Sequence, residues 1–400
     1  MEKQHDVVIV GGGLVGSSLA IALESSGLDV ALVEAAPVTE LPPVFDERNL
    51  SFAETTCQAL ARLGIWQGLH SPSPIRRIHT TRRGDFGKVV MAAGEYGREA
   101  FGHVVTARDF GQALEARIAQ LGNLTRYRPA RFVGTSLAAN GLRQVEVELN
   151  GEQHRLQTRL LAGADGMQSA VRAALGIAAE QHDYQQVLFV CRVRTSRPPD
   201  GTAWERLGEH GPTALLPRLD RHYGLVHGVA ADAADAVAAL DETAWLARLQ
   251  EAFGWRAGRF LASGARSGYR MQRVVAERLT APRAVLLGNA AQSIHPVGAQ
   301  GFNLGLRDAL TLVEEISRHG LDTPQLLETY AARRAPDRAR TLSFSDGMAK
   351  ISANPGLGMS LMRSIGMALL ANTPGLRGQL AAGGMGYRGE LPELCRGALP

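Results

Sequence analysis

Val7-Val8-Ile9-Val10-Gly11-Gly12-Gly13-Leu14-Val15-Gly16 is the stretch that decides the fold. Four apolar residues read as a buried strand, the glycines as a tight turn, and residues Gly16 to Ser26 as a helix. This arrangement grips a dinucleotide pyrophosphate. Gly11 permits the turn, Gly13 lets backbone N–H groups approach the phosphates, and Gly16 lets the helix lie against the strand with its positive N-terminus toward the anion. A second apolar strand, Ala31-Leu32-Val33, ends in Glu34, 21 residues after Gly13, where a carboxylate accepts ribose hydroxyls. The adenosine end therefore carries no 2′-phosphate. The same glycine spacing recurs at Gly384-Met385-Gly386-Tyr387-Arg388-Gly389, but with no strand before it and no helical period after it, so that copy is read as accidental.

Outward from that loop, 400 residues at 45% hydrophobic and 20% charged are ample for a packed core and suggest two structural units. Basic residues number 43 and acidic 39, spread along the chain without the stripe of a nucleic-acid binder. Cys57, Cys191 and Cys395 are isolated, which argues against a disulfide framework or a metal site and for a reducing compartment. Glu2 and Asp6 spoil a signal-peptide reading of residues 7 to 23, and no apolar run is long enough to span a membrane.

Ser51 to Leu69 reads as a helix, preceded by the loop Phe45-Asp46-Glu47-Arg48-Asn49-Leu50. Arg48 in that loop reaches either the pyrophosphate or ribose of a dinucleotide, or a neighbouring acid in a solvated salt bridge. Residues 104 to 120 read as a strand and helix, 131–133 and 145–149 as a hairpin around Asn140-Gly141, and 160–162 as a further buried strand. From about Gln186 to Ala276 the chain turns to long strands, with a hairpin at Asp220-Arg221-His222 and one helix from Asp232 to Phe253. This reads as an antiparallel sheet inserted between pieces of the nucleotide-binding unit, with 76–103 joining it. A glycine-rich tail follows Gly375.

Two later motifs carry glycine edges of their own. Gly163-Ala164-Asp165-Gly166-Met167-Gln168-Ser169-Ala170-Val171-Arg172 follows a strand and opens a helix. After the strand Ala284 to Leu287 comes Gly288-Asn289-Ala290-Ala291-Gln292-Ser293-Ile294-His295-Pro296-Val297-Gly298-Ala299-Gln300-Gly301-Phe302-Asn303, and then a helix to Arg318. Three separate loops at strand ends need a long ligand, and a stretched FAD runs across all three where NAD uses one.

The set G-x-G-x-x-G, G-A-D-G-x-x-S-x-x-R and the late glycine motif, in order over residues 5 to about 320, resembles the single-component FAD-dependent aromatic hydroxylases, those like para-hydroxybenzoate hydroxylase. Gly288-Asn289-Ala290-Ala291-Gln292, His295-Pro296, Phe45 to Arg48 and Cys57 to Trp66 are similar to the ubiquinone-biosynthesis branch, most of all its 2-octaprenyl-6-methoxyphenol hydroxylases. Gly298-Ala299 departs from the expected order of that small pair.

The resemblance implies a fold class: α/β, with a Rossmann-like FAD-binding domain of the glutathione reductase type (1–75, 104–183 and 277–325), an inserted antiparallel-sheet substrate domain (76–103 and 184–276) and a C-terminal helical region (326–400). It implies non-covalent FAD, with NAD(P)H and O2 as co-substrates. NAD(P)H delivers hydride, dioxygen adds at flavin C4a, and its outer oxygen attacks the ring of a polyprenylated phenol, taking 2-polyprenyl-6-methoxyphenol to the 1,4-benzoquinol. Carried over by position, Glu34 and Ala35 hold the ribose, Arg48 and Arg108 the pyrophosphate or ribityl region, and Asp165 and Gly166 serve both FAD and incoming NAD(P)H. Asn289 after Gly288 replaces a ribityl-binding aspartate, removing a negative charge near the flavin while keeping an acceptor. Gly11, Gly13, Leu14, Val15, Gly16, Val133, Gly301, Phe302 and Asn303 complete the expected cofactor contacts. The helix starting near Gly301 directs its free N–H groups at the negative charge of reduced flavin, worth about 0.3–1 kcal/mol.

No catalytic base stands out. His295 beside Pro296 reads as a proton relay or, more ordinarily, as a structural hydrogen-bonding group. Residues 343 to 371 are apolar and rich in methionine, interrupted by Arg363, and suit either a membrane surface or packing against the flavin domain. With them come an expected cytoplasmic location, peripheral on the inner face of a membrane, and contact with other ubiquinone-biosynthesis proteins. Rival readings are a sibling hydroxylase acting at another ring position or on another phenol, a flavin reductase, and a non-catalytic flavin-binding member of a quinone-synthesis assembly. A halogenase is disfavoured because Trp-x-Trp-x-Ile is absent.

Overall fold

The computed structural model describes residues 3–397. Strand Lys3–Val10 runs parallel to Val30–Val33 on one side and to Glu152–Gly163 on the other; Leu124–Tyr127 and Ala284–Leu286 extend the parallel sheet outward. Val7, Val8, Ile9, Leu161 and Val285 are fully buried, as strands covered on both faces must be. Asn150 and Gly151, both at positive φ, close a tight hairpin that joins Arg143–Leu149 to Glu152–Gly163, and Ala130–Leu137 pairs beyond it.

Helix α1, Leu14–Ala22, follows the first glycine loop and stops short of the expected Ser26, where a single 3-10 turn takes over. The helix expected from Ser51 is a correction: Asn49–Ala53 is a strand paired with Gly102–Thr106, and α2 spans only Glu54–Arg62. The extended backbone seats Phe52 against Phe110 at 4.9 Å and Phe302 at 5.3 Å between ring centres, a burial that outweighs local helical spacing. Helix α3, Ala107–Ile118, begins where Thr106 accepts the Asp109 N–H, and α4, Ala170–Ala174, follows the second motif.

The second sheet has nine strands, running from Gln292–Ser293 through Ser267–Ala276, Ala179–Thr195, Tyr223–Ala230, Thr213–Pro217, Thr202–Leu207 and Arg77–Arg82 to Val89–Ala92, with Phe260–Ser263 beside Ala179–Thr195. All pairings are antiparallel except that of Thr202–Leu207 with Arg77–Arg82. The single helix expected over 232–253 is two, α5 at Ala234–Ala238 and α6 at Glu242–Phe253. Asp241 leaves helical geometry and its carboxylate accepts the Ala244 N–H, which is more favourable at a helix start than in an interior. Trp245, Leu249 and Phe253 seal α6 onto the sheet.

Four further helices complete the chain: α7 at Gly301–His319, α8 at Gln325–Ala353, α9 at Leu357–Asn372 and α10 at Pro374–Gly384. The glycine-rich tail is thus helical through Gly384, started by Pro374 and held where Ala381 and Met385 pack with Ile75, Met91 and Phe101.

Candidate functional site

Between the two sheets lies a cavity of about 770 Å³. Its floor is the carboxyl edge of the parallel sheet: Gly11, Gly13 and Glu34 from the first loop, Asp165 and Gly166 from the second, Asn289 and Pro296 from the third. The three motifs therefore converge, at the edge where an open parallel sheet binds ligands. The far wall is apolar but for Glu205, made by Ala203, Trp204, Ala214, Leu216 and Val226 of the antiparallel sheet.

The glycines differ in what they do. A Cβ on Gly16 would lie 1.9 Å from the Gly11 carbonyl oxygen, so α1 and the loop touch only because Gly16 has no side chain. A Cβ on Gly13 would meet nothing closer than Val44 Cγ1 at 3.6 Å, which leaves the backbone there open. Gly288 is packed against Val15. Neither α1 nor α7 has a side-chain cap at its N-terminus, and both begin at this cavity, with Leu14 and Val15 on one and Gly301 and Phe302 on the other. Two uncapped helix starts facing one space suit a ligand with negative charge toward both ends.

Glu34 is fixed by two backbone donors, Gly12 N–H to Oε2 and Ala36 N–H to Oε1, both 2.7 Å. Its remaining lone pairs would accept the ribose hydroxyls of a dinucleotide at the cavity wall, where Ala35 also lies. Asn49, missed in the sequence, borders the cavity with a buried Oδ1 that has no partner. The open backbone at Gly13, the two helix starts and the poised carboxylate fit a bound FAD.

Arg48 forms the salt bridge that is one of its two sequence readings, at the cavity wall where the other would place a dinucleotide. It lines the cavity while its guanidinium forks onto Asp46, at 2.7 Å from Nη2 to Oδ2, and stacks on Tyr269 at 4.3 Å. Burial opposes the charge, but the Asp46 bonds outweigh it and hold Arg48 above its ordinary pKa. Asp165 borders the cavity, yet its side chain faces α4, accepting the Ser169 hydroxyl at 2.5 Å and the Val171 N–H at 3.0 Å. The conspicuous Ser169 and Arg172 of that motif are explained by the same turn: Ser169 accepts the Arg172 N–H, and the buried guanidinium donates to the Ala290 and Met167 carbonyls, tying the second loop to the third.

Three expected cofactor contacts, Arg108, Val133 and Asn303, are corrected, and His295 takes the structural one of its two readings. Arg108 is 56% exposed and paired with Glu47 at 2.7 Å, outside the cavity wall. Val133 is an exposed strand residue; its neighbours Arg131 and Phe132 line the cavity instead. Asn303 is buried, its amide spent on Ala53 N, Thr56 Oγ1, Ser51 O and Ala299 O, so it joins α7 to the strand Asn49–Ala53. His295 sits behind Pro296, with Nε2 donating to Gln186 Oε1 at 3.1 Å and Nδ1 accepting the Val297 N–H. Burial lowers its pKa to about 4, against a smaller opposing pull from Asp346, so it is neutral and structural.

A second cavity of about 520 Å³ adjoins the first. Its walls are Val89, Met91 and Phe101 on one side and Phe344, Met348, Ile351, Met367 and Leu370 of α8 and α9 on the other. Phe344 and Ile351 are themselves partly exposed, so the space reaches the surface where those helices meet. The inner face of α9 thus packs on the strand Val89–Ala92, and not against the parallel sheet. Arg363 does not interrupt the outer apolar face: it points inward to Asp85 at 2.7 Å and to the Ile351 and Asn354 carbonyls.

Behind α7, a buried ionic network links Asp308 to Arg334 at 2.7 Å, Arg334 to Asp337 at 2.9 Å and Asp337 to Arg307 at 2.7 Å. Asp308 also accepts from Gly288 N–H and Gln292, so the network holds the third loop from below.

Residues 4–345 match the FAD binding domain family. The chain is 32% identical to ubiquinone hydroxylase UbiL of Rhodospirillum rubrum, over 99% of its own length and 94% of that protein, and 27% identical to 3-demethoxyubiquinol 3-hydroxylase of Escherichia coli, over 90% and 93%. The crystal structure of p-nitrophenol 4-monooxygenase PnpA from Pseudomonas putida superposes with a TM-score of 0.78 at 16% identity, covering 97% of this chain and 99% of that one.

Proposed function

The chain belongs to the FAD binding domain family and is an FAD-dependent aromatic-ring monooxygenase; from that premise we propose that it hydroxylates the ring of a polyprenylated phenol in ubiquinone biosynthesis, taking 2-polyprenyl-6-methoxyphenol to the 1,4-benzoquinol. The observation that carries this reading is the pair of adjoining cavities. One is bounded by the three glycine loops, and the other is an apolar passage to the surface beside α9. A flat ring fits where they meet, and a prenyl chain fits the passage, whose methionines adapt to a flexible tail.

Bound FAD supplies the redox chemistry, with NAD(P)H as hydride donor and O2 as oxygen source. The chain's own residues bind and orient. The α1 N-terminus and Glu34 hold the pyrophosphate and ribose, Asn289 accepts from the ribityl chain, and the α7 N-terminus stabilises negative charge at the ring system. The apolar wall of Trp204, Ala214, Leu216 and Val226 excludes water from the reacting face.

Leu357, Leu361, Met362, Ile365 and Leu369 project outward from α9, Leu357 at 89% and Met362 at 67% exposure, and the helix carries no exposed charge. So large an apolar face is uncommon on a free surface. It docks on a lipid bilayer and takes the substrate directly from it. Among the described residues no helix is long and apolar enough to cross a membrane.

The test is turnover of the purified, FAD-loaded protein with a short-chain 2-prenyl-6-methoxyphenol, NAD(P)H and O2, followed by mass spectrometry and NMR of the product. One added oxygen at the position para to the hydroxyl is expected. Oxygen at another ring carbon moves the assignment to a sibling step, and NAD(P)H oxidation without product contradicts the substrate assignment.

A further inference from the structure

Six residues line both cavities: Ser51, Ile75, Ile78, Glu205, Gly298 and Ala299. Glu205 alone among them can carry a charge. It stands in the strand Thr202–Leu207, opposite Ala214 on one neighbour and Thr80 on the other, with Ala203 and Leu207 along its own face. Its surroundings on the sheet are otherwise apolar: Leu216, Val226, Val89 and Met91. A carboxyl at the junction of a cofactor space and an apolar passage is costly unless a ligand group answers it.

Resting on the substrate class proposed above, we propose that Glu205 binds the ring hydroxyl of the phenol, accepting its hydrogen bond and so fixing which ring carbon is presented for oxygenation. Most other charged groups at the cavity walls are committed elsewhere, Arg131 to Glu148 among them. Arg82 and Arg363 are tied to Asp85, Arg307 to Asp337 and Arg48 to Asp46. Arg340 and Arg388 also line the passage, Arg388 donating to the Gln379 carbonyl, while Glu34 and Asp165 are held by backbone donors in the first cavity. His79, on the adjacent strand, stacks on Trp204 at 4.7 Å. Burial alone raises the Glu205 pKa to about 7. As an anion it accepts a charge-assisted hydrogen bond, stronger than the one the neutral acid makes.

The test is calorimetric binding, with the FAD-loaded protein, of 2-geranyl-6-methoxyphenol and of its O-methyl ether between pH 6 and 8.5. The wild type is expected to bind the phenol more tightly as pH rises past about 7, by about fivefold or more, and the ether with no such gain. Glu205→Gln, which keeps the shape and an acceptor oxygen but not the charge, is expected to flatten the pH profile while still preferring the phenol, and Glu205→Leu, which removes the acceptor, to bind the two compounds alike. A pH dependence that survives in Glu205→Gln, discrimination that survives in Glu205→Leu, or a wild type that binds phenol and ether alike at every pH overturns the assignment of Glu205 alone. Binding of neither compound overturns the substrate class and this assignment with it. The wild-type contrast needs no variant, so it stands whether or not Glu205→Gln folds.

Discussion

Gly13 and Gly16 are the same residue type used for opposite reasons, one to leave space and one to remove it. Gly13→Val places methyl groups over the open backbone, in ordinary extended geometry (φ −77°) that a side chain tolerates. We expect a folded protein whose FAD affinity falls at least about tenfold, since loss of phosphate contacts costs more than about 1.4 kcal/mol. Gly16→Ala instead collides with the Gly11 carbonyl, and we expect loss of the folded protein itself. Gel filtration and flavin absorbance separate the two outcomes. The buried histidines make a pH prediction. His227 donates from Nδ1 to Thr213 and accepts from Arg248 at Nε2, and burial with that arginine lowers its pKa to about 3; His295 is lowered to about 4. Both folded values lie below the unfolded value near 6.5, so their stability is complete above about pH 6.5 and is lost as pH falls toward 4. Each contributes on the order of 3 kcal/mol at most over that window. Urea denaturation at pH 7 and pH 5 is expected to show the loss, with a shallower pH slope in His227→Gln; an unchanged slope contradicts it.

At the scale of elements, α7 is held at both ends of its first turns by polar groups whose structural role carried no signal in the sequence, where Asn303 reads as a cofactor contact. Asn303→Ala strips the Ala53 N–H and Thr56 of their acceptor, and we expect a loss of about 2–3 kcal/mol in chemical denaturation. Arg334→Met leaves Asp308 and Asp337 buried without their shared cation, and the expected loss is about 3–5 kcal/mol. A change under about 1 kcal/mol in either variant shows the contact to be dispensable. For α9, Leu361→Ser with Met362→Ser is expected to abolish flotation with anionic liposomes while leaving the melting temperature unchanged, because both side chains face outward. Retained flotation contradicts membrane docking by this helix. These elements also mark where sequence reasoning reaches its end. The strand Lys3–Val10 and the three loops were legible because their constraints are local: apolar runs, glycine turns and helix starts. Strand Asn49–Ala53 was not, since only the distant Phe110 and Phe302 make its extended form preferable. Glu205 gave no signal either, as one acid in the segment Thr202–Leu207 looks solvated until the second cavity closes around it.

For the whole molecule, the two sheets are joined around a space that the polypeptide leaves open, with two uncapped helix starts at its edge. A ligand that binds only the folded chain adds its binding free energy to stability, about 2.7 kcal/mol at a concentration 100 times its dissociation constant. FAD should therefore raise the melting temperature of flavin-stripped protein, and AMP, which reaches only the α1 end, should raise it less. The most direct test of the account is the prosthetic group itself: denaturing release and chromatography of the chromophore from freshly purified protein, quantified against chain concentration. The account predicts FAD at one equivalent per chain, restored after stripping. Colourless protein that takes up no FAD on reconstitution would contradict it.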